Sequence, residues 1–171
     1  MKMETRSFGC QPETELKRPD HRMNTIESAR QFLDRQTDVA VWYAEYEGRS
    51  EAIAYANNVF SQTFGLSIEQ ILVAKRYDLV NPQDTPGHVI ERYKDEDLAA
   101  MRDGCFFARS PLEQSQSIEV VKLRFDQGVL GLFKILNAGP AGTPVGLKDF
   151  DRAILAIVHQ VRPDLLPESH G

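Results

Sequence analysis

The run Ala52-Ile-Ala-Tyr-Ala-Asn-Asn-Val-Phe-Ser-Gln-Thr-Phe-Gly-Leu-Ser67 constrains the fold more than any other part of this chain. A short apolar strand passes straight into a capped helix, and a glycine stops that helix. Asn57 is a good N-cap, because its side-chain oxygen can accept from the free amides of the first turn. Val59, Phe60, Thr63 and Phe64 fall on one helical face, and Gly65 supplies the left-handed residue that ends it. Ser67, three residues before Gln70, then opens a second helix with a capping box.

Patterns on either side complete a sheet. Asn24 with Glu27 makes a capping pair, and Ile26, Ala29, Phe32 and Leu33 form an apolar stripe, which predicts a short amphipathic helix over residues 24–37. Val39 to Tyr46 alternates in a β-rich run, and Glu47-Gly48-Arg49-Ser50 reads as a hairpin turn into Glu51 to Ala56. Asn81-Pro82 marks a break, since the residue before proline is pushed out of helical geometry. Thr85-Pro86 caps a longer helix, interrupted near Asp95, that runs to Asp103 and stops at Gly104. Three strands follow: Cys105 to Arg109, Ser117 to Phe125 and Val129 to Leu136, the last two joined tightly through Asp126-Gln127-Gly128.

Two strands, helices, then three strands predict an α+β fold, an antiparallel sheet with its short helices gathered on one face. The last strand is apolar on both faces, with Val129, Phe133 and Ile135 on one and Leu130, Leu132 and Leu136 on the other. Both sides must therefore be covered. The core helices take one, leaving the flanking helices or a second subunit for the other.

A chain of 171 residues supports one domain with extensions. Residues 1–23 and 164–171 read as tails, and 138–146, rich in glycine and proline, as a linker. The formal net charge of -5 is spread over interspersed acidic and basic residues, against a nucleic-acid surface. No apolar run is long enough for a membrane span and no signal peptide opens the chain, so the expected compartment is the cytoplasm. Cys10 and Cys105 sit in unlike contexts and form neither a disulfide framework nor a zinc site. Cys105, opening an apolar strand, reads as a small buried hydrophobe.

The Tyr55-Ala56-Asn57 junction, the Phe64-Gly65-Leu66-Ser67 break, the Asp78-Leu79-Val80-Asn81-Pro82 segment and the closing strands Val120 to Phe125 and Gly128 to Leu136 together resemble a PAS domain. That is the small sensory fold of bacterial and eukaryotic signalling proteins. The resemblance covers residues 38–137. It implies a five-stranded antiparallel sheet, a pocket between sheet and helices, and flanking helices that mediate dimers and transmit signal to a partner signalling protein. The large residues expected at such a pocket are Phe60, Phe64, Tyr77, Tyr93, Phe107 and Phe125, with plain core packing as the alternative use of the same rings.

Cofactor chemistry is only thinly marked. Haem-binding PAS relatives present a histidine from the long helix before the last three strands, which singles out His88, with Arg92 near a propionate. The spacing from His88 to Arg92-Tyr93 fits poorly, and a histidine in the first helical turn is usually a surface residue, so haem is disfavoured. The flavin photosensor motif Asn-Cys-Arg-Phe-Leu-Gln is missing, with Leu79-Val80-Asn81-Pro82-Gln83-Asp84 in its place. The run Lys94-Asp95-Glu96-Asp97 lacks the alternating oxygens and glycine of a calcium loop, and reads as a solvated helix face.

Past the linker, Leu147, Phe150, Ile154, Ile157 and Val161 recur at helical spacing, predicting an amphipathic helix over residues 147–163. It packs either on its own sheet or on a partner subunit. The reading is a cytoplasmic PAS sensory or protein-interaction module acting as a homodimer or on a partner, with a possible small-molecule ligand. The rival is a small α+β enzyme, an isomerase or hydrolase, which needs Asp78, Asp84 or His88 buried beside a second polar group. A third reading is a structural dimer module with a filled core.

Overall fold

The computed structural model describes residues 23–47, 50–74, 87–112, 115–137 and 146–166. Helix α1 (Ile26–Asp34) leads into the hairpin β1 (Ala40–Glu47) and β2 (Ser50–Ala56). Helices α2 (Asn58–Phe64), α3 (Ile68–Leu72) and α4 (Gly87–Asp103) follow, then β3 (Cys105–Pro111), β4 (Ser117–Phe125), β5 (Gly128–Leu136) and α5 (Arg152–Val161). The strands form one antiparallel sheet in the order β2-β1-β5-β4-β3. This is the α+β arrangement, a five-stranded antiparallel sheet with helices, expected from the order of elements.

The sheet is apolar on both faces, and helices cover both. Val41, Tyr43, Tyr55, Val121, Leu123, Phe125, Leu130 and Leu132 pack against α1 and α5. Ala40, Trp42, Ala44, Ile53 and Val129 pack against Phe60 of α2, Ile71 of α3 and Ala100 of α4. The flanking helices of the same chain therefore cover the face that a second subunit could otherwise have taken.

Local chemistry sets the joints. Asn57 caps α2 by accepting from the Phe60 amide at 3.0 Å, and Gly65 ends it at φ +67°. The Ser67–Gln70 capping box opens α3. Asn57 does more than cap: buried, it also accepts from the Val41 amide and donates to the Val39 carbonyl, each at 3.0 Å. One side chain thus joins the start of β1 to the turn that launches α2.

Three expectations need correction. Helix α1 is capped by Thr25 with Ser28, not by Asn24 with Glu27, because Asp126 takes the Ile26 amide at 3.0 Å and fixes a later start. Helix α4 runs unbroken past Asp95, where the pairs Glu91–Lys94 and Arg92–Glu96 bridge neighbouring turns. The C-terminal stripe is not one helix: Leu147–Asp149 is a 3-10 turn, Phe150 is extended, and Asp151 caps a new helix by accepting from Ala153.

Candidate functional site

Two buried charged clusters, one on each face of β4, are the principal polar features of the interior. Successive strand residues point to opposite faces, so Lys122 looks toward α4 while Glu119, three residues earlier, looks toward the C-terminal flank.

Lys122 is 2% exposed, and a lone ammonium at that depth would cost far too much to leave uncompensated. Helix α4 supplies the compensation. The Lys122 Nζ lies 2.8 Å from Asp97 Oδ1 and 2.9 Å from Glu96 Oε1, while the Tyr46 hydroxyl donates to Asp97 Oδ2 at 2.6 Å. Arg92 lies 3.7 Å from Glu96, so cations and carboxylates alternate through the cluster. The Lys122 ammonium also stands 6.0 Å from the Trp42 ring centre and 5.6 Å from that of Tyr93, an aromatic frame that favours a cation. Gly131, paired with Lys122 across β4 and β5, makes room for the frame: a Cβ there would fall 2.0 Å from the Trp42 indole. The chain's own lysine thus fills the cage.

On the other face Glu119 is fully buried. Its Oε2 accepts from Arg109 Nε at 2.8 Å, and its Oε1 accepts from the Asp151 amide at 2.8 Å, at the cap of α5. Arg109 further donates to the Asp149 carbonyl at 3.1 Å and stacks over the Phe150 ring, while Lys134 pairs with Asp151 at 3.1 Å. The far end of α5 is held by Arg162, whose Nη1 donates to the carbonyls of Gly104 and Arg124 at 3.1 and 2.7 Å. Asp164 clasps the rest of that guanidinium, which holds the Asp164 carboxyl below its ordinary range.

The residues expected to share a pocket are not brought together. Phe60 and Phe64 meet Phe133 in an aromatic group on the α2 side, and Tyr93 joins the Lys122 cage on the same face. Phe107 and Phe125 lie on the opposite face, Phe107 edge-on to Phe150 and Phe125 edge-on to Tyr43. Strand alternation separates them, because Phe107 and Phe125 share the parity of Glu119 rather than that of Lys122. Tyr77, Asp78 and Asp84 lie outside the described residues. His88 is exposed in the first turn of α4.

The interface candidates Leu147, Phe150, Ile154, Ile157 and Val161 are all buried against the chain's own sheet. The acidic run is corrected as well. Asp95 is solvated, but Asp97 is 1% exposed and Glu96 turns inward to Lys122. A helical stripe could have shown it, since Tyr93, Asp97 and Ala100 recur at spacings of four and three, placing Asp97 among sheet-facing residues.

Burial also governs the weak acids nearby. It pushes the Cys105 thiol up to about 11 and the Tyr43 phenol up to about 12, so both are neutral at physiological pH. The Tyr55 phenol rises too, from burial and from its hydrogen bond to Asp34. A thiol shifted in that direction is a poor nucleophile. Among the described residues no three His, Cys, Asp or Glu side chains are grouped to hold a metal ion, and no helix is long and apolar enough to cross a membrane.

No protein-family model and no curated protein matches the chain. Among solved structures it is similar to the PAS domain of a protein from Colwellia psychrerythraea, at 19% identity and a TM-score of 0.46, the match covering 66% of this chain and 97% of that one.

Proposed function

We propose that the chain is a PAS-like sensory or protein-interaction module, in which the sheet face beneath α4 governs how firmly the C-terminal flank is held. The observation that carries this reading is the layout of β4. Lys122 ties the strand to Glu96 and Asp97 of α4, and Glu119 ties the same strand to Arg109 and the cap of α5. The two clusters therefore hang on one strand, three positions apart. A ligand or partner that binds one arrangement of the Lys122 cluster better shifts the population toward it, by no more than its difference in affinity for the two.

The output is the stripe Leu147, Phe150, Ile154, Ile157 and Val161. Held down it completes the core; released it would offer an apolar surface to a second copy or to a partner signalling protein. The rival reading as a small enzyme draws less support. Of the residues it calls on, His88 is exposed, and the buried carboxylate Asp97 has one oxygen engaged by Lys122 and the other by Tyr46. A general base needs an oxygen open to substrate.

Glu96→Gln weakens the lysine pairing without removing bulk, and tests the coupling. Hydrogen exchange of this variant is to be compared with Gly65→Ala, which strains the end of α2 at φ +67° and leaves β4 untouched. Faster exchange in α5 for Glu96→Gln alone, by about tenfold, is the expected result. Equal effects of both variants on α5 would sink the proposal.

A further inference from the structure

We infer that the β4–β5 turn is a clamp joining the two flanking helices, so that loosening either loosens the other. This coupling stands apart from the sensory reading above and does not depend on it. The turn, Asp126-Gln127 between Phe125 and Gly128, holds the start of α1 on one side: Asp126 Oδ2 accepts from the Ile26 amide at 3.0 Å. On the other side the end of β4, two residues before Asp126, holds the end of α5, where Arg162 donates to the Arg124 carbonyl at 2.7 Å. A cleft of about 260 Å³ lies at this junction, lined by Asn24, Arg124, Phe125, Asp126, Val161 and Arg162. Both helix ends thus hang on the short stretch from Arg124 to Asp126 of one hairpin.

The turn itself is anchored from below. Its Gln127 amide donates to the buried Tyr43 hydroxyl at 2.9 Å, and the Gln127 carbonyl accepts from the Tyr46 amide at 3.2 Å. The Arg124 amide donates to the Gly104 carbonyl at 3.0 Å, and that carbonyl also receives Arg162. Arg162 therefore bridges Gly104, the residue before β3, and the end of β4 at one point. Asp126 sits at φ +53°, a conformation held only while its surroundings over-determine it. Removing either tether lets the turn relax and weakens the geometry that the other tether needs. By linkage the coupling must be reciprocal.

Asp126→Gly tests this, because glycine adopts the turn's positive φ freely and removes only the carboxylate. Peptide-resolved hydrogen exchange of the full chain should show about tenfold faster exchange in the first turn of α1. The decisive readout is a rise in the last turn of α5, around Val158 to Arg162, with the Asp151 end of α5 unchanged. Arg162→Gln should raise exchange at Ile26 to Arg30 in return. Asp126→Asn, which keeps an acceptor oxygen and tolerates positive φ, should restore both ends toward the parent. The inference is overturned if each substitution affects only its own helix, or if Asp126→Gly raises both ends of α5 equally.

Discussion

Replacing Lys122 by methionine removes a buried charge while keeping a side chain of similar length between Trp42 and Tyr93, so the loss that follows is chiefly electrostatic. Asp97, 1% exposed, would keep the Tyr46 hydroxyl but lose the ammonium 2.8 Å away. Breaking a buried pair in this way costs about 3–5 kcal/mol, because one charge is left stranded. The total stability of a domain is about 5–15 kcal/mol, so the loss is a large fraction of it. At about 2–4 °C per kcal/mol for a chain of this size, the melting temperature should fall by about 6–20 °C. Thermal and urea denaturation followed by circular dichroism read both quantities. Adding Asp97→Asn to Lys122→Met removes the stranded carboxylate, and the double variant should recover at least about 2 kcal/mol of the loss. The reasoning is refuted if Lys122→Met costs under about 1 kcal/mol, or if Asp97→Asn deepens the loss rather than relieving it.

Three further outcomes follow from the same structure. Asn57→Ala breaks a helix cap and two strand contacts at once, and should cost about 2–4 kcal/mol by urea denaturation; a cost below 1 would show that water replaces the amide. Gly131→Ala drives a methyl into the Trp42 indole and should cost about 1–3 kcal/mol. Trp42 is the only tryptophan, so its emission must shift; an unchanged spectrum would contradict the cage. Because Cys105 and Tyr43 are raised in the folded state from 9.0 to about 11 and from 10.0 to about 12, the unfolded chain releases these protons first. Their contribution is complete below pH 9.0 and is lost as pH climbs toward about 12, so the urea midpoint should fall across that window. A midpoint flat across it would refute the assigned burial.

The joints of the fold were legible because single residues decide them. Asn57, Gly65 and the Ser67–Gln70 box each act within one helical turn, and the structure uses all of them as read. Boundaries failed where a distant partner intervened. No local pattern announces that Asp126 will claim the Ile26 amide across 100 residues and so move the cap of α1 to Thr25. Strand alternation decides which residues share a face, and by that parity Phe107 and Phe125 fall opposite Phe60 and Phe64, a separation that ring size alone does not reveal. Lys122 and Glu119 were missed because a charged residue inside an apolar strand looks like a solvent-facing position. What buries them is complementary charge on α4 and on β3, which only the tertiary fold brings near.

That burial bears on why charges stand there at all. A well-packed apolar group in place of Lys122 and Asp97 would hold β4 against α4 about as firmly as the pair does, since the desolvation of two ions offsets most of their attraction. The pair differs from an apolar contact in being conditional. It needs both partners charged and in register, and Tyr46, Trp42 and Gly131 are all arranged around that one requirement. Both kinds of contact weaken on separation, but only the ion pair, 2.8 Å long at 1–2% exposure, leaves stranded charges when it opens. A contact of that kind would suit the two-state coupling proposed above. Glu119 repeats the arrangement on the opposite face, where a buried carboxylate holds the first turn of the C-terminal flank. The double variant Lys122→Met/Asp97→Asn separates firmness from conditionality: a chain with near-parent stability whose α5 no longer responds to Glu96→Gln would show that the charges serve coupling rather than cohesion.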